Sequence, residues 1–165
     1  MKKFSELKDS LEVKSEFELI IGDKKLIIPL KSLPANFDDE LDTMFPLPTP
    51  PKRPDKRTHQ ILPDLTDEKY LEKRKKMEKL RTYATVAFAL CGPIQVAEKK
   101  KTTSGADAWT APEAYELEGD IYAKIDQLLD SKIGIGYWIQ VAEEVQNISG
   151  LDMDRFRERL PEIRG

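Results

Sequence analysis

Cysteine and histidine are almost absent from this sequence of 165 residues, which has one of each. With Cys91 alone, no intramolecular disulfide and no thiolate metal cluster can form, and such cysteine usage is typical of a reducing compartment. His59 lies in a polar stretch, without the shielded surroundings that a general base needs. Gly134 and Gly136 lack the third glycine and the preceding strand of a phosphate-binding loop. We therefore expect no enzymatic activity, no cofactor and no metal site.

Long apolar runs are also missing. The longest weakly polar run, residues 83–97, is interrupted by Gly92 and Pro93 and is too short to cross a bilayer. The lysines at the N-terminus are not followed by the apolar stretch of a signal peptide. We therefore expect a cytoplasmic protein with no membrane partner.

Charged side chains make up 35% of the chain, more than the roughly one quarter of an average domain. Residues 64–101 hold ten basic and six acidic side chains, whereas residues 102–165 hold six basic and thirteen acidic ones. Such asymmetry indicates either an association surface or a basic helix packed against an acidic one. The net charge of −3 argues against a nucleic-acid partner.

The N-terminal segment, residues 1–33, contains two β-rich runs, residues 17–21 and 26–30, on either side of Gly22 and Asp23. This pattern predicts a β-hairpin. Pro29 cannot donate to a ladder, so we expect the second strand to be an edge strand or to end there. A hairpin alone is marginally stable in water, and we therefore expect it to pair or pack beyond itself.

Residues 34–63 contain six prolines between Pro46 and Pro63 and predict an extended arm without regular structure. Phe45 and Leu47 are apolar residues in a segment with little local core. Two interpretations remain open, a semi-rigid linker and a docking arm that uses Phe45 and Leu47.

Residues 64–165 predict a helical domain of three to four helices. The first begins near Asp64 and Thr66 and stops before Gly92 and Pro93. Residues 99–105 are expected to form a loop, and a capping-box pattern at residues 110–113 predicts the start of the second helix. The apolar residues assigned to the second helix are Leu117, Ile121, Ile125 and Leu128.

The third helix carries Tyr137, Trp138 and Val141 and is closed by Ser149 and Gly150. A final short helix is predicted after residue 152. The fold class is therefore α+β, mainly α, with an N-terminal β-hairpin and a proline-rich arm followed by a helical bundle.

The order of these features resembles that of the tail assembly chaperones of long-tailed bacteriophages. The resemblance lies in Ile-Gly-Asp-Lys-Lys at residues 21–25, Phe-Pro-Leu-Pro-Thr-Pro-Pro at residues 45–51, and the helix end Val-Ala-Glu-Glu-Val-Gln-Asn-Ile-Ser-Gly-Leu at residues 141–151. It implies a protein of the host cell cytoplasm that binds the tape measure protein, helps to recruit tail tube subunits and is absent from the mature virion. It also implies that no cofactor is used.

Such a partner requires apolar surface rimmed by charge. The candidate partner-binding residues are Phe45 and Leu47 on the arm and Tyr137, Trp138 and Val141 on the third helix, with core packing as the competing interpretation of Trp138. A homo-oligomer is also open. The alternative functions are a phage virion structural component with a proline-rich docking arm and a small nucleic-acid-binding regulator that uses the basic helix.

Overall fold

The computed structural model describes residues 1–7, 11–101 and 107–150. A 3-10 turn, Phe4–Leu7, precedes the first two strands, β1 (Lys14–Ile21) and β2 (Lys24–Lys31). The other elements follow in the order α1 (Phe37–Met44), β3 (Lys52–Pro54), β4 (Ile61–Pro63), α2 (Glu68–Ala89), β5 (Ile94–Lys101), β6 (Asp107–Trp109), β7 (Glu113–Tyr115), α3 (Ile121–Asp130) and α4 (Ile135–Ile148).

The predicted N-terminal hairpin is confirmed. β1 and β2 are antiparallel, with Leu19 opposite Leu26 and Phe17 opposite Ile28. Because side chains alternate across a strand, these apolar residues share one face. Gly22 begins the turn with a φ of 62°, a left-handed conformation that glycine adopts without steric cost.

The hairpin does not stand alone, as its marginal stability requires. β2 pairs antiparallel with β5, which in turn pairs with β6 and β7 on its other side. The strand order in the sheet is β1-β2-β5-β6, and β7 also pairs with β5. The sheet therefore joins the N-terminal segment to the C-terminal half of the chain in one core.

Pro29 does not end β2, and β2 is not an edge strand. The carbonyl oxygen of Pro29 accepts a hydrogen bond from the Cys91 amide at 3.2 Å, so the nitrogen of Pro29 faces the same side, toward β5. The β2–β5 ladder covers only the residues from Lys24 to Ile27. The missing N–H therefore costs no ladder hydrogen bond.

The helices cover one face of the sheet, and α2 lies at their centre. α3 and α4 pack on α2, and α4 also contacts β1 and β2. Every residue from 81 to 87 is buried, because this half of α2 has neighbours on all sides. The buried hydroxyls of Thr82 and Thr85 donate to carbonyl oxygens of the preceding turn, at 3.0 and 2.8 Å, so these polar groups enter the core with their hydrogen bonds made.

The α+β class is confirmed, but the description as mainly helical with an irregular arm is not. Residues 37–44 of the expected arm form helix α1, whose Phe37 and Leu41 are buried together with Phe45. Their spacing of four residues places them on one helical face. Phe37 packs edge-on against Phe88 of α2, with ring centroids 5.2 Å apart.

The predicted second helix begins later than expected. Residues 113–115 are the short strand β7, and Thr110 uses its hydroxyl to accept from the Glu98 amide at 2.8 Å, so it caps no helix. α3 is capped instead by Asp120, which accepts from the Ala123 amide at 2.9 Å. The expected loop at residues 99–105 begins as the end of β5, where Lys99 pairs with Trp109.

The first and third predicted helices are confirmed as α2 and α4, with Asp67 as the N-cap of α2 and Gly150 following α4 at a φ of 66°. Cys91 follows the end of α2 and is exposed. The final short helix predicted after residue 152 lies outside the described residues. In the part of the chain that the structure describes, no helix is long and apolar enough to cross a membrane.

Candidate protein-binding surface

Only the part of the expected arm that follows α1 lacks a core of its own, and from here on the arm means residues 46–66. It is anchored to the core by Phe45, the residue that precedes it. Phe45 is 9% exposed, and its ring packs edge-on against Tyr122 of α3 with the centroids 6.2 Å apart. Its carbonyl oxygen accepts a hydrogen bond from the buried guanidinium of Arg81 at 3.0 Å. The same Arg81 nitrogen lies 2.9 Å from a carboxylate oxygen of Asp42. The start of the arm is therefore held in place.

Beyond this anchor the arm forms a second hairpin, which we call the arm hairpin. β3 and β4 pair antiparallel, with Arg53 opposite Leu62 and Pro54 opposite Ile61. All six residues of the two strands are exposed. Among the described residues, none of the six belongs to the core or to the apolar residues packed against it. A two-stranded ribbon that is exposed on both faces has little to hold it but its turn and its base.

The base of the arm hairpin is held by charge. Arg53 of β3 lies 3.4 Å from Asp64 and 2.6 Å from Asp67, and the Asp64 amide donates to the Pro51 carbonyl at 2.7 Å. Asp67 also caps α2 by accepting from the Tyr70 amide at 2.9 Å. The arm hairpin is thereby tied to the first turn of α2.

Asp64 is further stabilised as a carboxylate by Thr66. The Thr66 hydroxyl and amide both donate to it, at 2.7 and 3.0 Å. These two hydrogen bonds and the Arg53 charge lower the pKa of Asp64 below the usual 3.8.

The tip of the arm hairpin is organised by Asp55. Its carboxylate accepts from the Thr58 hydroxyl at 2.9 Å and from the Arg57 amide at 3.3 Å, and these bonds lower its pKa below the usual 3.8. His59 closes the turn at a φ of 54°, with its amide donating to the Asp55 carbonyl. His59 is exposed, so the single histidine takes part in a surface turn.

The arm presents apolar side chains to solvent. Leu47 is 37% exposed, Ile61 70%, Leu62 45% and Leu65 60%. Ile61 and Leu62 point to opposite faces of the arm hairpin, since neighbours along a strand alternate. The basic residues Lys52, Arg53, Lys56 and Arg57 lie on the same hairpin. The arm therefore offers exposed apolar side chains on both faces of the hairpin, beside basic residues, and is the candidate protein-binding segment.

The residues selected from the sequence occupy different environments. Leu47 is exposed on the arm, whereas Phe45 anchors the arm from inside the core. On α4, Trp138 is 1% and Val141 0% exposed, and Tyr137 is half-buried. The structure thus agrees with core packing as the role of Trp138 and does not bring the five residues together at one surface.

Ile61, Leu62 and Leu65 are absent from the residues selected by sequence. The one signal that could have found them was the apolar pair at residues 61–62, directly before Pro63 and a helix start. Proline at a strand end is typical of an edge strand whose N–H groups face solvent.

Within residues 1–7, 11–101 and 107–150, no group of three or more histidine, cysteine, aspartate or glutamate side chains is placed to hold a metal ion. Comparison with known protein families, with curated proteins and with solved structures gives no match.

Proposed function

We propose that this chain is a phage tail assembly chaperone, which binds the tape measure protein in the host cytoplasm and helps to recruit tail tube subunits. The observation that carries the proposal is the arm, whose hairpin is fixed at its base and which leaves Ile61, Leu62 and Leu65 exposed. The resemblance of the sequence to tail assembly chaperones supplies the identity of the partner.

A chaperone for a long helical protein has to cover apolar helix faces while it stays soluble itself. The arm supplies apolar side chains on a ribbon whose base geometry is already set by Arg53, Asp64 and Asp67. Pre-organisation of this kind reduces the ordering cost of binding. The charged residues beside these apolar side chains favour rapid and salt-sensitive association over tight burial.

The proposal is tested by co-expression of the full chain with the tape measure protein of the same phage. We expect the soluble yield of the tape measure protein to rise and the two proteins to co-purify. A second experiment adds tail tube subunits, which should join the complex only when the chain is present. If the wild-type chain neither co-purifies with the tape measure protein nor changes its solubility, the proposal is wrong.

The composition of purified particles separates this proposal from the structural-component alternative. A chaperone is absent from the finished particle, whereas a virion component is present in a fixed copy number. Quantitative mass spectrometry of purified virions measures this directly, and a constant number of copies per particle contradicts the chaperone proposal.

A further inference from the structure

The two faces of the arm hairpin have different surroundings. Residues directly opposite each other in an antiparallel pair share a face, and neighbours along a strand alternate. Arg53 and Leu62 are opposite each other and therefore share one face, which we call the inner face. The guanidinium of Arg53 lies 2.6 Å from the carboxylate of Asp67 at the start of α2. The inner face is therefore turned toward α2.

The opposite face, which we call the outer face, is turned away from α2. It carries the two cross-strand pairs Lys52–Pro63 and Pro54–Ile61. All four residues are exposed, and Ile61 is the most exposed aliphatic residue of the arm at 70%. Because all of them except Lys52 are apolar, the outer face presents an apolar strip to solvent.

Positive charge lies at both ends of this apolar strip. Lys52 is at the base of the arm hairpin, and Lys56 and Arg57 are at its tip, shortly after Pro54. All three charged residues are exposed, and among the described residues their side chains form no ion pair. They can therefore pair with carboxylates of another molecule.

The two carboxylates of the arm do not cancel this charge. Asp64 pairs with Arg53, which lies on the inner face. Asp55 is half-buried at the tip, where it accepts hydrogen bonds from the Thr58 hydroxyl and the Arg57 amide. Since the tip has two cations for this one anion, it keeps a positive charge.

We propose that the outer face binds an acidic amphipathic helix of the partner protein. The apolar stripe of that helix packs on Pro54 and Ile61, and its carboxylates pair with Lys52 at one end and with Lys56 and Arg57 at the other. A three-residue strand spans about 10 Å, which is about two turns of an α-helix, so carboxylates two turns apart match both ends. The identity of the partner rests on the proposed function, whereas the charge and spacing of its helix follow from the outer face.

The outer face fits an acidic helix better than a nucleic acid. It carries no aromatic ring on which a base could stack. A nucleic-acid backbone binds to positive charge that follows its phosphates, whereas the middle of the outer face, Pro54 and Ile61, is apolar. Positive charge on either side of an apolar strip is instead complementary to a helix that has carboxylates beside an apolar stripe.

The test measures binding of synthetic helical peptides to the full-length chain by fluorescence anisotropy. The first peptide, of about 18 residues or five helical turns, has glutamates two turns apart beside a leucine stripe. The second replaces the glutamates by lysines, and the third replaces the leucines by serines. We expect the first peptide to bind at least about tenfold more tightly than either of the others, and its affinity to fall as the salt concentration rises.

Charge reversal on the chain locates the site. Lys52→Glu combined with Lys56→Glu should weaken binding of the acidic peptide by about tenfold or more. Lys2→Glu combined with Lys3→Glu is the matched control, since it reverses the same number of exposed lysines outside the arm and should leave the affinity unchanged. All four lysines are exposed, so both variants should keep the fold, and circular dichroism checks this.

The peptide measurement is independent of the tape measure protein. Equal binding of the acidic and basic peptides, or an affinity that the Lys52 and Lys56 reversals do not change, overturns this proposal. Tighter binding of a DNA duplex or of phosphatidylglycerol vesicles than of the acidic peptide also overturns it. Capture of the tape measure protein that is insensitive to the same reversals contradicts the acidic helix and leaves the chaperone function intact. Binding of the acidic peptide without any capture of the tape measure protein supports the outer face as a site for acidic helices and contradicts the chaperone function.

Discussion

Arg81 of α2 reaches across to Asp42 of α1, with 2.9 Å between the guanidinium nitrogen and the carboxylate oxygen. The side chain of Arg81 is 4% exposed and that of Asp42 is 58% exposed. The ion pair therefore joins a buried cation to a hydrated anion. Because the same nitrogen also donates to the Phe45 carbonyl, this contact determines where the arm leaves the core.

Removal of either charge should have unequal effects on the free energy of unfolding. Asp42→Ala leaves a buried cation with one neutral acceptor and should cost about 2 kcal/mol, less than a fully buried pair because Asp42 faces water. Arg81→Met keeps the apolar stem and should cost about 1 kcal/mol through the unpaired Phe45 carbonyl. The double variant should resemble Arg81→Met, because no buried cation remains. Urea denaturation of the three variants measures this, and strictly additive losses contradict it.

The two faces of the N-terminal sheet should respond differently to the same substitution. Leu19 is 3% exposed against the helices, so Leu19→Asp should destabilise the fold by at least about 3 kcal/mol. Ile27 lies on the opposite face and is only half-buried, so Ile27→Asp should cost about 1 kcal/mol or less. Thermal melting compares the stability of the two variants. A similar loss of stability in both would show that the face of the sheet that carries Ile27 is also covered.

Partner capture should depend on the arm independently of stability. Ile61→Ser combined with Leu65→Ser removes exposed side chains, so the free energy of unfolding should stay within about 0.5 kcal/mol of wild type. Capture of the tape measure protein should nevertheless fall, since apolar contact area is lost. Ile20→Ser is the control, because Ile20 is 60% exposed on the sheet. If the arm variant and the Ile20→Ser control capture the tape measure protein equally well, the arm is not part of the binding surface.

Order at the two ends of the arm hairpin should be lost in acid. Both Asp55 and Asp64 have a pKa below the usual 3.8. Hydrogen bonds that lower the pKa favour the folded arm above pH 3.8, and this contribution disappears as the pH falls through the folded-state values. Titration by nuclear magnetic resonance should show the Arg57 and Thr66 amide signals moving with midpoints below pH 3.8.

Thr58→Val and Thr66→Val test the cause of these shifts. Each variant removes the largest hydrogen bond to its aspartate, so the pKa of Asp55 or Asp64 should rise toward 3.8. Amides of β2 serve as the internal control, because they lie away from both carboxylates. Unchanged titration in both variants would show that the hydroxyls do not set the pKa.

Local patterns were sufficient for the elements that depend on neighbouring residues. The first hairpin follows from alternating apolar residues on either side of Gly22, and α4 ends at Gly150 because glycine tolerates the left-handed conformation. A single cysteine, Cys91, is by itself enough to rule out an intramolecular disulfide. Phe45 was selected from the sequence as a docking residue, and its burial against Tyr122 was not predicted.

Tertiary contacts determined the rest. α1 forms within an acidic, proline-flanked segment because Phe37 packs on Phe88 of α2, and Leu41 and Phe45 are buried in the same core. Packing of this kind outweighs weak helix propensity. The strands β6 and β7 exist because β5 offers an edge to pair with, so residues 110–115 extend where a capping pattern predicted a helix. Trp138 and Val141 are buried and Ile61 and Leu65 are exposed because of how the helices and strands pack against each other. The spacing of residues along the chain shows which side chains share a face, but it does not show whether another element covers that face.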